Sequence, residues 1–408
     1  MSKVNLNSIC RVSEGSINDS FVGIKMISGI PEIVFPLGYR LGNNDSELRS
    51  DILLLVRVLN KFSNTSSDIM LPTKDNGSTN YHFPIFAYYR IIQHFLANGN
   101  YSENEVAYHS GYRGKINWAK TISKKTALIQ ENHAVYLDYI VRGTNNNLDS
   151  LIAEIYKYCV HISFQQIGWL FSTLKYPMPK VKFNKILFEA TVKKKLDETF
   201  NDRSKELLRD MLNVILNNST GKGDSQFRTV GTNRFEYIWE KLVDSTFGVS
   251  DKENYFPRTQ WCLINAEGHK VNHSLKPDTI MIQDNDVYIL DAKYYRYGCT
   301  GETSHLPETA SVHKQITYGE YLHTSDKFIF EQIFNAFIMP ADLKNGLFRG
   351  SDLSQFIGHA HSEWKSNNLS YEKVAGILVD TKSIMQGYLH KNNLMKSVSA
   401  DISNCVNV

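Results

Sequence analysis

The chain has 408 residues and a formal net charge of +3, length enough for two or three domains held by their own cores without disulfides. So small a positive excess excludes a polycation that coats nucleic acid with its whole surface, and any nucleic-acid footprint has to be local. The five cysteines, at positions 10, 159, 262, 299 and 405, are odd in number and lack zinc-site spacing; with no apolar leader and no run of membrane-spanning length, the expected location is a reducing cytoplasm.

Short strand-like runs at residues 21–27 and 32–35 precede an apolar-periodic helix over 46–62, and the Ser- and Asn-rich stretch 63–80 reads as a loop. Residues 83–97 predict an aromatic-rich helix. Residues 107–130 then hold Arg113, Lys115, Lys120, Lys124 and Lys125 with no acid among them, interleaved with Tyr108, Tyr112 and Trp118. Such cations contact phosphates and give salt-dependent affinity, while the aromatics stack or pack. These five are the candidate DNA-binding residues; the alternative is a solvated lysine face around a core Trp118.

Asn145-Asn146-Asn147 predicts a break, followed by a helical segment over 148–174 and a helical region over 187–216. Lys193-Lys194-Lys195 is followed at once by acids and belongs to an ordinary charged helix. The polar string 217–225 marks the sharpest boundary. It divides an N-terminal domain, 1–220, mostly helical α+β and expected to serve recognition or docking, from a C-terminal domain, 226–408.

In the C-terminal domain, apolar residues at 235, 238, 239, 242 and 243 recur at helical spacing and leave Glu236 and Glu240 one turn apart on a common side. Residues 279–282 and 286–290 read as strands around a turn at Asp284-Asn285. With a two-residue loop, paired positions sum to 569, so Asp278 stands opposite Asp291. The period of two adds Lys293 to that face and turns Ala292 to the core. Two carboxylates can hold Mg²⁺ through oxygen ligands while leaving places for water and a phosphate. Metal-bound water is a stronger acid than free water, and Lys293 would orient it, deprotonate it, or stabilise charge on the attacked phosphorus. Phosphodiester hydrolysis is the chemistry that fits.

A helix over 313–321 follows. Asp380-Thr381-Lys382 repeats the Asp-x-Lys pattern without a Pro-Asp upstream and is expected to end a later strand at the surface. His359-Ala360-His361 has metal-ligand spacing but no carboxylate or thiolate partner in sequence, and a loop is expected there.

Pro277-Asp278, twelve intervening residues and Asp291-Ala292-Lys293 resemble the PD-(D/E)XK nuclease signature. That resemblance implies an α/β core, a central mixed sheet flanked by helices. It implies an acid on the helix before the hairpin, for which Glu240 is favoured with Glu236 behind it. It also implies a Gln or Lys on the helix after the hairpin, where Gln315 is the candidate to support Lys293 or the water. Asp278, Asp291, Glu240 and the backbone carbonyl of Ala292 would then be the Mg²⁺ ligands.

Further strings extend the likeness: Phe21-Val22-Gly23-Ile24, Val34-Phe35-Pro36-Leu37-Gly38-Tyr39, Gly114-Lys115-Ile116-Asn117-Trp118, the Phe-Glu-x-x-Trp-Glu helix, and Asn335-Ala336-Phe337-Ile338-Met339-Pro340. Together they are similar to the LlaJI family of restriction endonucleases, itself similar to McrC-type nuclease subunits. The likeness implies a type II restriction endonuclease that cuts double-stranded DNA at a specific sequence, with a cognate methyltransferase and a place in phage defence. Because one site cuts one strand, it implies a homodimer or two successive nicks. The McrC side implies instead a nuclease subunit driven by a GTP-hydrolysing partner. A third reading, a DNA-binding protein whose nuclease fold no longer cuts, is opposed by the presence of Asp278, Asp291 and Lys293 together.

Overall fold

Strands Asp286–Ala292, Ile333–Ala341 and Val374–Asp380 are buried at almost every residue, the pattern of neighbouring parallel strands covered on both faces. They form the middle of a five-stranded sheet in the order Thr279–Gln283, Asp286–Ala292, Ile333–Ala341, Val374–Asp380, Ser354–Ala360. The three central strands run parallel and each edge strand is antiparallel to its neighbour. Helix Thr309–Thr324 makes the crossover between the first two parallel strands and packs on both, while helix Phe235–Phe247 covers the hairpin strands and Leu394–Ser403 covers the other edge. The chain is therefore mixed α/β. The computed structural model describes residues 6–16, 18–27, 30–65, 85–130, 133–147, 150–171, 176–218, 227–262, 264, 269–348, 353–366, 368–390 and 393–407.

These residues group into two units, Met1–His82 with Asp224–Val408, and Phe83–Gly223. The expected boundary near residue 220 is thus one of two, and the first 82 residues belong with the C-terminal sheet rather than with the helical region that follows them. The reason is backbone pairing. Strand Val22–Ile27 lies between Ile30–Phe35 and Phe227–Thr232 in a second, four-stranded sheet completed by Cys10–Val12. Gly23, at φ 146°, permits the closest approach there: a Cβ would lie 2.2 Å from the Val230 carbonyl oxygen.

The turn at 36–39 carries the same unit onto the end of the central strand. Gly38 has φ 69°, and a Cβ on it would lie 2.8 Å from the Ala341 Cα. The Thr381 hydroxyl donates to Leu37 O at 3.0 Å, and the Leu37 N–H donates to the Tyr294 hydroxyl at 2.7 Å. Asp51, buried on helix Asp45–Thr65, accepts from the Tyr39 hydroxyl at 2.9 Å and the Gly42 N–H at 2.7 Å and pairs with Lys382 at 2.6 Å.

Asp380 corrects an expectation. Its strand does not end at the surface: the side chain is fully buried, pairs with Arg40 at 3.2 Å and accepts the Ser383 N–H at 2.8 Å as the N-cap of helix Thr381–Leu389. Each polar group of the second Asp-x-Lys string is thus committed to holding residues 37–51 in place. His359 also lies in a strand rather than a loop, its ring 5.4 Å from that of His361.

The unit Phe83–Gly223 packs helices Ile85–Asn98, Leu151–Ile167, Lys185–Asp197 and Asp202–Asn218 around Tyr156, Cys159 and Phe188. The Arg90 guanidinium grips Asp210 across that core, with Nε to Oδ2 at 2.7 Å. Asn145-Asn146-Asn147 does not break into a loop but ends strand Ile140–Asn147, which joins Glu103–Ser110 and Lys115–Ile116 in a small sheet; Ala127–Gln130 and His133–Tyr136 form a separate ribbon. The helical stretch predicted over 187–216 is two helices, parted at residues 198–201. Most of the loop predicted at 63–80 and of the string at 217–225 lies outside the described residues.

Removing one partner of a buried ion pair leaves the other charge unmatched, at a cost of about 3–5 kcal/mol, and losing an N-cap adds about 1 kcal/mol. Asp342 stays 3.4 Å from Arg40 and shares its charge, so Asp380→Ala is expected to lower unfolding free energy by less than the full penalty, about 1–3 kcal/mol, read as a shifted midpoint in urea denaturation.

Candidate active site

The catalytic candidates stand where two strands, a turn and two helices meet. Asp284 takes φ 54°, a left-handed conformation that Asp tolerates in a tight turn, and the hairpin it closes pairs Thr279 with Leu290 and Gln283 with Asp286. One further step in this register sets Asp278 against Asp291. Asp278 Oδ2 accepts the Ala292 N–H at 2.9 Å, a bond that fastens the carboxylate across the strand end. Asp291 is 3% exposed, and its Oδ2 lies 2.6 Å from Lys293 Nζ. Ala292 is buried, as the alternation requires.

Helix Phe235–Phe247 buries Phe235, Ile238, Trp239, Leu242, Val243 and Phe247. With that face fixed on the hairpin, Glu240 is half-buried and turned toward the acids. Burial, followed by the charge of Asp291, raises its pKa, with Lys293 opposing. Glu236 instead pairs with Arg234 at 3.3 Å. The Trp239 indole N–H donates to Ile338 O at 3.1 Å, and the Lys293 backbone N–H donates to the same oxygen at 2.9 Å.

Gln315 sits on helix Thr309–Thr324, 1% exposed, with its amide nitrogen donating to Ile289 O at 2.6 Å. It grips the backbone two residues before Asp291, so the described contact supports the strand rather than Lys293. One turn on, Tyr318 was missed by sequence reading. Its hydroxyl is buried without a hydrogen-bond partner, and burial followed by the charges of Asp291 and Asp278 pushes its pKa up. The signal was the i, i+3 spacing of Gln315 and Tyr318, which puts both on one helix face. Lys252 was also missed; its Nζ donates to Asp278 O at 2.6 Å and pairs with Asp244 at 2.6 Å, and nothing local in the sequence marks it.

Asp278, Asp291 and Glu240 are opposed chiefly by the amine of Lys293, with Lys314 adding a further positive charge toward Glu240. Burial, then the Asp291 charge, pushes the Asp278 carboxyl up to about 7 against the Ala292 hydrogen bond. A carboxyl raised by burial and by a neighbouring carboxylate marks a site short of positive charge, and an oxygen-only donor set suits a hard divalent cation. Among the described residues no three His, Cys, Asp or Glu side chains are drawn close enough together to hold a metal ion; Asp278 is engaged by Ala292 and Asp291 by Lys293.

The five basic candidates lie in the other unit. Arg113, Lys115 and Lys124 are exposed; Lys120 Nζ stands 3.4 Å from the Tyr108 ring centroid, and Lys125 pairs with Asp138 at 3.6 Å. Trp118 is 53% exposed and Tyr112 74%, which overturns the core alternative for Trp118. Asn117 caps the short helix Trp118–Lys124 that carries Lys120 and Lys124.

The family model described as LlaJI restriction endonuclease matches residues 21–360. A solved structure described as a refined half-complex from a tetradecameric assembly of Thermococcus gammatolerans McrB AAA+ hexamers with bound McrC is similar over 95% of this chain and 83% of its own, at 13% identity and a TM-score of 0.39. That likeness is too loose to bear on the fold. No curated protein matches the chain.

Because the folded-state pKa of Asp278 lies above its unfolded value of 3.8, its contribution to stability is complete below that value and is lost as pH rises through about 7. In metal-free buffer the protein is expected to lose stability across this window, and Asp278→Asn to flatten the loss and be the more stable of the two at alkaline pH, as thermal melts at stepped pH would record. Gln315→Leu leaves Ile289 O without its donor and is expected to cost about 1–3 kcal/mol, read by the same melts at fixed pH.

Proposed function

Because the chain belongs to the LlaJI restriction endonuclease family and is a restriction nuclease by that membership, we propose that it is a type II enzyme hydrolysing double-stranded DNA at a specific sequence by Mg²⁺-dependent PD-(D/E)XK chemistry. The observation that carries this reading is the convergence of Asp278, Asp291 and Lys293 at one end of a buried hairpin, with the Asp278 carboxyl pushed up by burial and then by the charge of Asp291.

Asp278, Asp291, Glu240 and the Ala292 carbonyl would hold the divalent cation. When bound, Mg²⁺ acidifies a water and screens the charge on the attacked phosphate. The chain supplies the rest. Lys293, held 2.6 Å from Asp291 Oδ2, keeps an ammonium at the reacting phosphate, where it orients the attacking water and offers hydrogen bonds to the charge that develops on the non-bridging oxygens. The sheet fixes the amine's origin through Ile338 O, and Gln315 and Lys252 fix the two strands that bear the acids. The basic and aromatic face at Arg113, Lys115, Lys120, Lys124 and Lys125 would grip phosphates and contribute salt-dependent DNA affinity. Cutting both strands then requires two copies of the site or two successive nicks.

The test is digestion of a defined plasmid with Mg²⁺, with and without chelator, followed by end mapping. Discrete ends without added nucleotide are expected, and Asp278→Ala and Lys293→Ala are each expected to slow cutting by roughly 10²–10⁴-fold. Cutting that appears only with a GTP-hydrolysing partner would transfer the chain to the motor-driven class. Wild-type protein that binds DNA and never cuts under either condition would refute the nuclease reading.

A further inference from the structure

Between the glutamate helix and the catalytic hairpin the chain makes a second, smaller hairpin from Gln260–Cys262 and His269–Val271, in which Gln260 pairs with Val271. The pairing continues outward: the Asn272 N–H donates to Thr259 O at 2.9 Å. One more step of this register sets Arg258 opposite His273, so their side chains leave the same face. The outgoing strand runs on through Lys276 and the buried Pro277 into Asp278. Two residues of extended chain span at most about 7 Å, so Lys276 stands within a short reach of Asp278.

Glu253, Phe256, Arg258, His273, Ser274 and Lys276 line a surface cavity of about 470 Å³ at this place. Its wall carries two permanent cations and a histidine against one carboxylate. Two other amines near the acids are engaged, Lys293 by Asp291 and Lys252 by Asp244 and the Asp278 carbonyl. Among the described residues no ion pair or hydrogen bond engages the side chains of Arg258, His273 or Lys276. An exposed concave site with uncommitted cations beside an acidic reaction centre is built for an anion that reaches that centre, and the acids themselves would repel it.

We propose that this cavity holds the DNA backbone phosphates that flank the bond to be cut, with Lys276 on the phosphate next to the scissile one and Arg258 and His273 on those beyond. This inference rests on the nuclease reading for the identity of the strand. It adds a positively charged path that ends at Asp278, drawn from residues that sequence motifs do not single out. Lys276 and Arg258 act on a phosphate as point charge and fork respectively, and neither reads a base.

The experiment measures binding without cutting, by fluorescence anisotropy of a short DNA duplex in chelator across a salt series. The double variant Arg258→Ala with Lys276→Ala is expected to bind about ten-fold or more weakly at low salt, whatever the duplex sequence, and to lower the slope of log affinity against log salt by about two. The double variant Lys193→Ala with Lys194→Ala, in the other unit, is the control and is expected to keep the wild-type slope. Circular dichroism melts confirm that each variant folds. An unchanged affinity and slope in the Arg258 and Lys276 variant overturns the path. Because cutting is not the readout, a wild type that shows the slope change on mutation yet never cuts with Mg²⁺ would leave the path standing and remove the nuclease reading.

Discussion

One carbonyl oxygen sets the position of the candidate catalytic groups. Ile338 O, in the middle of the sheet, accepts the backbone N–H of Lys293 and the indole N–H of Trp239 at once. The first bond is the last rung of the parallel ladder, and it determines where the strand bearing Asp291 stops and Lys293 leaves the sheet. The second ties the helix bearing Glu240 to the same atom. Acid, amine and second acid therefore share one origin, and a displacement of the central strand would move all of them together. Tyr294, the next residue, extends the arrangement: its ring packs 5.3 Å from Phe235 and its hydroxyl accepts from Leu37. Pre-organisation here is a property of backbone geometry, which does not depend on flexible side chains finding each other.

The hairpin was legible because its information is local. A two-residue turn and a period of two determine which carboxylates face each other, and both can be read over residues 278–293 alone. The helix at 235 was legible for the same reason, since its buried stripe of Phe235, Ile238, Trp239, Leu242 and Val243 follows helical spacing. What was not legible depends on partners far away in the chain. Nothing around Val22 announces that it pairs with Thr232, so the first 82 residues were assigned to the wrong side of the boundary. Gln315 could be placed on a helix, but the carbonyl it grips could not. Asp380 looked like an open strand end because Arg40, which occupies it, lies 340 residues earlier. Trp118 could not be read as exposed, since an aromatic among lysines suits a core and a surface equally well.

The charges are divided in a way that net charge conceals. A total of +3 describes neither the cluster of Asp278, Asp291 and Glu240, which is short of cations, nor the stretch at 107–130, which has no acids. Elsewhere in the first unit buried carboxylates do meet cations, Asp380 with Arg40 and Asp51 with Lys382. These pairs fasten one part of the unit to another with groups that replacement by apolar side chains of the same volume could match in energy but not in direction.

The strand at Val22–Ile27 has a consequence for how the protein comes into being. Its outer partner, Phe227–Thr232, is translated only after the whole unit Phe83–Gly223 has been synthesised. At about 5–20 residues per second, the earlier strand waits roughly 10–40 s on the ribosome with one edge uncovered. The hairpin that bears Asp278 and Asp291 comes later still, and the strand that receives the Lys293 amide last of the three. An unfinished chain thus carries the helical unit before the candidate site is assembled, since that site waits for strand Ile333–Ala341, which receives the Lys293 amide.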